Sequence, residues 1–527
     1  MKIFSLALAV FICTQAQAQQ AYWQQQLQYD IKATLNDKDY SIAGNETIIY
    51  KNNSPGTLNF IWFHIWPNAY KNGSTALMQQ LKNDTARAKK KEKFGIGYID
   101  GLDFKINGTT AKTEPHPNPQ YVDIIKLVLN SPLKPGDSIS ISTPFNVKLP
   151  PYFSRSGYAD GEIMACQWYP KPAVFDKSGW HEFPYLDMGE FYSEYGDYSV
   201  SLTLPSDYVV GATGSLLTKS ELDIYKKIGA KNTAQRNDKP ELYAGDGTNK
   251  TKTLTYYAGQ VVDFAWFAEK GFVVQYDTLQ LPGGKIVDAF SYYHNKPNSI
   301  WANSIDYIKD ACRKYSEWVG NYSYPVVQAV EGPKNNSSGG MEYPMVTLIT
   351  SPDAKPESLD GVIAHEVGHN WFMGMLGSNE RAHTWMDEGL NSYYQFRYEA
   401  EKYKFNSIFG DAIPEEIKKK PVDEFIGIIY NALSEIPMQS AMDISAEKFS
   451  SSEEYGIVSY VKTAFWLYIL ESVLGREKMD AAMQNYFTKW KFRHPQPEDM
   501  KAAFEEATGA RLDKFFDLTK KEGKLVE

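Results

Sequence analysis

His365-Glu366-Val367-Gly368-His369 sets two imidazoles four residues apart with a carboxylate between them, and Glu388 follows after eighteen intervening residues. On a helix, residues four apart share a face, so His365 and His369 can direct ring nitrogens at one metal ion while Glu366 projects beside it. Glu388 lies in Thr384-Trp385-Met386-Asp387-Glu388-Gly389-Leu390, an apolar and aromatic stretch where an unpaired charge is costly to bury. Two His and one Glu leave one tetrahedral position open, which separates a catalytic zinc site from a closed structural one. The pattern predicts one Zn2+ per chain on His365, His369 and Glu388, with Glu366 as base rather than ligand. Among divalent ions, this donor set suits zinc best.

Elements of two kinds must hold these residues. Over about 29–274 short runs alternate apolar and polar, as in Ser138-Ile139-Ser140-Ile141-Ser142 and Tyr198-Ser199-Val200-Ser201-Leu202-Thr203-Leu204. Turn chemistry separates the runs: Asn53-Ser54-Pro55-Gly56, Lys134-Pro135-Gly136-Asp137 and Gly245-Asp246-Gly247. After Pro282-Gly283-Gly284 the period becomes helical. Helices are expected over 299–319, around the metal motif, over 460–474 with a stop at Gly475, and over 477–490 and 497–508. The fold class expected is α+β multidomain, an N-terminal antiparallel β-sheet domain over 19–272 followed by a mainly helical catalytic domain over 273–527.

The first eighteen residues combine Lys2, an apolar run over 3–12 and Ala16-Gln17-Ala18, which fits a secretory leader cleaved before Gln19. An exported enzyme, periplasmic or secreted, is expected, with no later run of the roughly twenty apolar residues that span a bilayer. Cys166 and Cys312 remain after the leader, so one disulfide is allowed and none is required. The formal charge of -9 makes nucleic acid a poor partner. The one basic cluster, at 87–93, includes Glu92 and reads as a solvated face. No obligate protein partner is evident.

About twenty residues before the metal motif stands Gly339-Gly340-Met341-Glu342-Tyr343-Pro344, whose glycines let backbone approach a substrate closely. Together with H-E-x-x-H, the eighteen-residue spacing to Glu388, the W-x-x-E-G surround and Tyr455-Gly456-Ile457-Val458-Ser459-Tyr460-Val461-Lys462, it resembles the aminopeptidase N-type family of zinc metallopeptidases. The resemblance covers nearly the whole chain after the leader and implies a thermolysin-like catalytic domain. It also implies that Gly339, Gly340, Met341 and Glu342 bind substrate, with Glu342 anchoring a free α-amino group, and that Tyr460 donates to the oxyanion. Tyr455 competes for that last role. Cys166-Gln167-Trp168-Tyr169-Pro170 looks like the family's T-Q-x-E-P stretch, which makes Gln167 a substrate-binding candidate and puts Tyr169 where an acid or amide is common. Two further departures are Tyr343 and Asp387, each in place of the usual Asn, and the large C-terminal helical domain of longer relatives is absent from this sequence. The activity implied is zinc-dependent release of N-terminal amino acids from peptides with a free N-terminus. The alternatives are a zinc endopeptidase, an epoxide hydrolase-like enzyme of the same fold, and a non-catalytic exported peptide-binding protein.

Overall fold

A computed structural model describes residues 22–84, 94–236, 239–245, 250–335, 338–350, 355–404, 413–433 and 440–525. The expected leader, the basic cluster at 87–93 and part of the Gly245-Asp246-Gly247 turn lie outside the described residues.

Strict alternation makes the first long strand, Gln26–Asn36, bury Leu27, Tyr29, Ile31, Ala33 and Leu35 on one face. It pairs antiparallel with Ser41–Lys51, which pairs in turn with Ser138–Lys148. Its other edge pairs with Gly196–Pro205 in parallel, Tyr29 opposite Tyr198, so the largest sheet is antiparallel apart from this one contact. Two four-stranded sheets share one hydrophobic core with it, one containing Leu58–His64 and Ile124–Leu133, the other Glu162–Ala165 and Trp266–Glu269. A helix also interrupts the β region: Lys219–Gln235 packs across the strand Phe272–Gln280.

The catalytic half opens with a five-stranded mixed sheet that periodicity did not single out. Its order is Phe272–Gln280, Ile286–His294, Val326–Glu331, Val346–Ile349 and Gly340–Tyr343, the last an edge strand antiparallel to its neighbour. Against it lies the metal-motif helix Pro356–Gly368, with Pro at its start and Leu359, Ile363, Ala364 and Val367 buried. Helix Glu388–Tyr403 packs beside that one. The expected 299–319 helix is Ser304–Trp318, the expected 477–490 and 497–508 helices are Arg476–Trp490 and Pro497–Thr508, and a further short helix, Asp513–Asp517, follows them.

The 460–474 helix belongs to a longer rod, Ser452–Leu474, which by length and composition alone could cross a bilayer. Most of its apolar window is buried inside the protein, so it serves as a core helix. Gly475, at φ +82°, ends it as expected. Cys166 and Cys312 are both buried and unpaired.

Candidate active site

His365 stands on the last turn of Pro356–Gly368, and His369 follows its end. Nδ1 of His365 is 2.8 Å from Gln395 Oε1, and Nδ1 of His369 is 2.6 Å from Asp387 Oδ1. Amide and carboxylate oxygens accept, so both rings carry a proton on Nδ1 and turn bare Nε2 lone pairs inward. The two Nε2 atoms lie 3.1 Å apart, each 3.3 Å from Glu388 Oε2. Three electron-rich atoms this close repel unless a cation sits among them. Tetrahedral zinc with ligands at about 2.0–2.1 Å separates its ligand atoms by about 3.3 Å, so this donor set fits the ion. Burial opposes charge on His369, yet Asp387 and Glu388 outweigh it and favour positive charge there, the field a metal needs. Burial likewise opposes charge on Glu388, but His369 and His365 hold its carboxyl well below the usual range.

Glu366, on the same helix, is buried with Oε2 lacking a hydrogen-bond partner among the described residues. Burial pushes its carboxyl up to about 8, Glu388 and Glu190 adding to the shift while His369 opposes it. A cation on the neighbouring triad acts in the opposite direction to that burial. A carboxyl so tuned suits proton transfer in both directions.

Tyr460 lies on a π-helical segment, Ile457–Lys462, in the middle of the long rod. Such segments are rare and frequent at functional sites. Its hydroxyl donates to Glu388 Oε1 at 2.5 Å and its ring stacks on His365 at 5.9 Å. Burial and Glu388 keep the phenol protonated, hence a donor. Gly389 makes this contact possible, because a Cβ there would come within 2.2 Å of Thr463 and 2.7 Å of the Ser459 carbonyl. Tyr455 lines the same cavity with its buried hydroxyl lacking a partner among the described residues.

Glu342 sits on the edge strand Gly340–Tyr343, where oxygens of Glu342 and Glu366 and a His369 ring nitrogen lie within 4.8 Å of one another. Gly340 allows that approach: a Cβ there would come within 2.5 Å of Glu366 Oε1. Burial pushes the Glu342 carboxyl well above its usual range, with Glu190 and Glu366 adding to the shift. Glu342 also converges with Glu380 and Asp387, three buried carboxylates within 4.8 Å. One cavity of about 520 Å³ is lined by Gly339, Gly340, Met341, Glu342, Glu366, the metal triad and both tyrosines.

Gln167 is placed elsewhere. It is buried, has φ +46°, accepts from the Tyr343 hydroxyl at 2.9 Å, and does not line the large cavity. Tyr169 also turns away, donating to Asp263 Oδ1 at 2.8 Å. The sequence reading missed Arg155 and Glu190, a buried pair at 2.7 and 2.9 Å on the cavity wall, because nothing in local spacing links them. It also missed Gln395 and Asn391. Asn391 donates to the His365 carbonyl at 2.7 Å and accepts from the Tyr315 hydroxyl at 2.8 Å, anchoring the metal helix. The i, i+3, i+7 spacing of Glu388, Asn391 and Gln395 on one helix was the available signal.

Residues 309–518 match the Peptidase family M1 domain. Leucine aminopeptidase 2 of Emericella nidulans is 27% identical over 225 residues, 39% of this chain and 34% of that protein. A leukotriene A-4 hydrolase homolog of Botryotinia fuckeliana is 31% identical over 179 residues, 32% of this chain and 25% of that protein. The chain thus aligns with about a third or less of the length of these curated relatives. An M1 zinc metallopeptidase mutant from Deinococcus radiodurans, solved with a Tyr-Ser-Ala substrate, superposes with a TM-score of 0.62 over 94% of both chains at 14% identity. At that identity the likeness speaks for the two-domain fold.

Proposed function

We propose that this chain, whose residues 309–518 match the Peptidase family M1 domain, is an exported zinc aminopeptidase that removes single residues from peptides with a free N-terminus. The observation that carries the reading is the position of Glu342, whose carboxylate oxygen shares a 4.8 Å neighbourhood with Glu366 and His369. A negative charge there pairs with an ammonium and sets the first peptide carbonyl beside the metal residues. An endopeptidase has no use for a buried acid in that place. The Tyr-Ser-Ala bound to the Deinococcus radiodurans relative supports the substrate class. Export is supported by Lys2, the apolar 3–12 run and Ala16-Gln17-Ala18.

His365, His369 and Glu388 hold the metal, with Gln395 and Asp387 fixing the tautomer of each imidazole. Zinc bound there supplies a Lewis acid and lowers the pKa of water to about 7. Glu342 receives the substrate ammonium. Glu366 takes a proton from the attacking water and returns it to the departing amine, base in one step and acid in the next. Tyr460 donates a hydrogen bond to the charge developing on the carbonyl oxygen, keeping its proton and turning from Glu388 to do so.

The decisive experiment compares aminoacyl-arylamides with their N-acetylated twins, with and without a chelator. Chelator-sensitive cleavage of the free-amine set alone is expected. Cleavage of acetylated substrates would replace this reading with an endopeptidase, and silence on both sets would favour a binding protein.

A further inference from the structure

Glu342 stands on a four-residue edge strand, hydrogen-bonded among the described residues to a neighbouring strand on one side only. Side chains alternate along a strand, so Tyr343 points to the face opposite Glu342. There its hydroxyl, in a side chain 3% exposed, donates to Gln167 Oε1 at 2.9 Å, a residue of the N-terminal half. The Gln167 amide then donates to Asp263 Oδ2 at 3.4 Å. Asp263 is itself immobilised: Lys171 Nζ lies 2.9 Å from Oδ2, while the Tyr169 hydroxyl and the Phe264 amide donate to Oδ1 at 2.8 and 2.7 Å.

Gln167 holds this position at a backbone φ of +46°, a left-handed conformation that a buried residue other than glycine keeps only where its surroundings over-determine it. Strain of this kind is found where a precise placement is needed. Two residues before Tyr343 on the strand, Met341 Sδ accepts from Arg155 Nε at 3.2 Å, a weaker contact.

We propose that Tyr343 and Gln167 are positioning residues, a buried splint through which the N-terminal half sets the distance of Glu342 from the metal residues. This rests on the aminopeptidase reading of Glu342. It makes the N-terminal half a determinant of how tightly the terminal ammonium is held, although neither Tyr343 nor Gln167 lines the large cavity.

The test uses zinc-loaded full-length enzyme and two probes: leucine hydroxamate, and the same molecule without its amine, 4-methylpentanohydroxamate. Calorimetry of both gives a ratio of affinities that reads the amine contact alone. In Tyr343→Phe, which removes one oxygen, the ratio is expected to fall about tenfold, as for loss of one hydrogen bond's worth of positioning. Zinc content and the affinity of the amine-free probe should stay as in wild type. Gln167→Leu should give the same loss, and the double variant no more than either, because both act through one contact. Equal weakening of the two probes would reduce Tyr343 to a structural residue and overturn the proposal. A high wild-type ratio that survives Tyr343→Phe would overturn the splint alone, whereas a wild-type ratio near one would overturn the aminopeptidase reading as well. Should Gln167→Leu fail to fold, Tyr343→Phe decides by itself.

Discussion

Glu366 moves the proton and Tyr460 donates a hydrogen bond: the first is a cavity-lining carboxyl whose Oε2 has no hydrogen-bond partner among the described residues, the second a phenol kept protonated by burial. Glu366→Gln keeps size and polarity but cannot take a proton, so kcat should fall by about two to four decades with zinc retained. Wild-type turnover in a zinc-replete variant would remove Glu366 from the base role. Tyr460→Phe should cost about two to three decades in kcat with little change in KM. If Tyr455→Phe shows that loss instead, the donor is the tyrosine one turn earlier on the rod. Asp387 carries a different load, because its Oδ1 fixes the His369 tautomer at 2.6 Å. Asp387→Ala should weaken zinc binding about 10- to 100-fold in chelator competition, and an unchanged affinity would show that the tautomer is set elsewhere. His365 and His369 were legible because helix geometry turns a four-residue spacing into a shared face, and Glu388 because a carboxylate in an apolar, aromatic stretch needs a partner. Asp387 read only as a departure from a family pattern, since its partnership with His369 is a matter of tertiary placement. The surroundings of Gln167 were hidden for a related reason: a backbone φ of +46° turns its side chain toward Tyr343, outside the large cavity, and no residue type announces that angle.

Four elements must meet for the site to exist, the metal-motif helix, the helix from Glu388, the edge strand of Glu342 and the π-helical segment of Tyr460, and a tight junction is Gly389 against that last segment. A Cβ at 389 would meet Thr463 at 2.2 Å and the Ser459 carbonyl at 2.7 Å, and a carbonyl cannot rotate away as a side-chain tip can. Gly389→Ala should therefore destabilise the protein by about 1–3 kcal/mol in urea unfolding. It should also lower kcat, because the segment it displaces carries Tyr460. A variant with full stability and full kcat would mean that the rod shifts without moving the tyrosine. Helix ends were readable where caps are local: Gly475 stops the rod, and Gln496 with Asp499 forms the capping box that starts Pro497–Thr508. The Lys219–Gln235 helix was not, since its buried residues, Tyr225, Ile228 and Asn232 among them, form a thin stripe inside a polar run. The parallel pairing of Gln26–Asn36 with Gly196–Pro205 joins segments about 170 residues apart, beyond any local signal.

At the scale of the molecule, the two halves are joined by a charged cluster away from the cleft. His294, on a strand of the catalytic sheet, lies 3.1 Å from Glu162 and 3.9 Å from Glu269 of the N-terminal half, and 3.3 Å from Glu331 of its own half. Lys296 faces the same Glu331 at 3.2 Å. Burial disfavours a charged ring here, but Glu162 and Glu331 outweigh it and push His294 up to about 10, while burial pushes Glu162 up to about 7. Both folded values exceed the ordinary ones, so both groups stabilise the fold most at low pH. The His294 contribution is complete below about 6.5 and disappears as pH climbs through 10; that of Glu162 is complete below about 4.5 and disappears through 7. Unfolding free energy measured in urea at pH 7, 8, 9 and 10 should thus decline for the wild type, with His294 accounting for at most about 1.4 kcal/mol per pH unit. His294→Gln should be less stable at pH 7 and should lose less on the way to pH 10, so that the two curves converge. Parallel curves would mean that His294 is neutral in the folded protein and that the joint between the halves is held by packing rather than by charge.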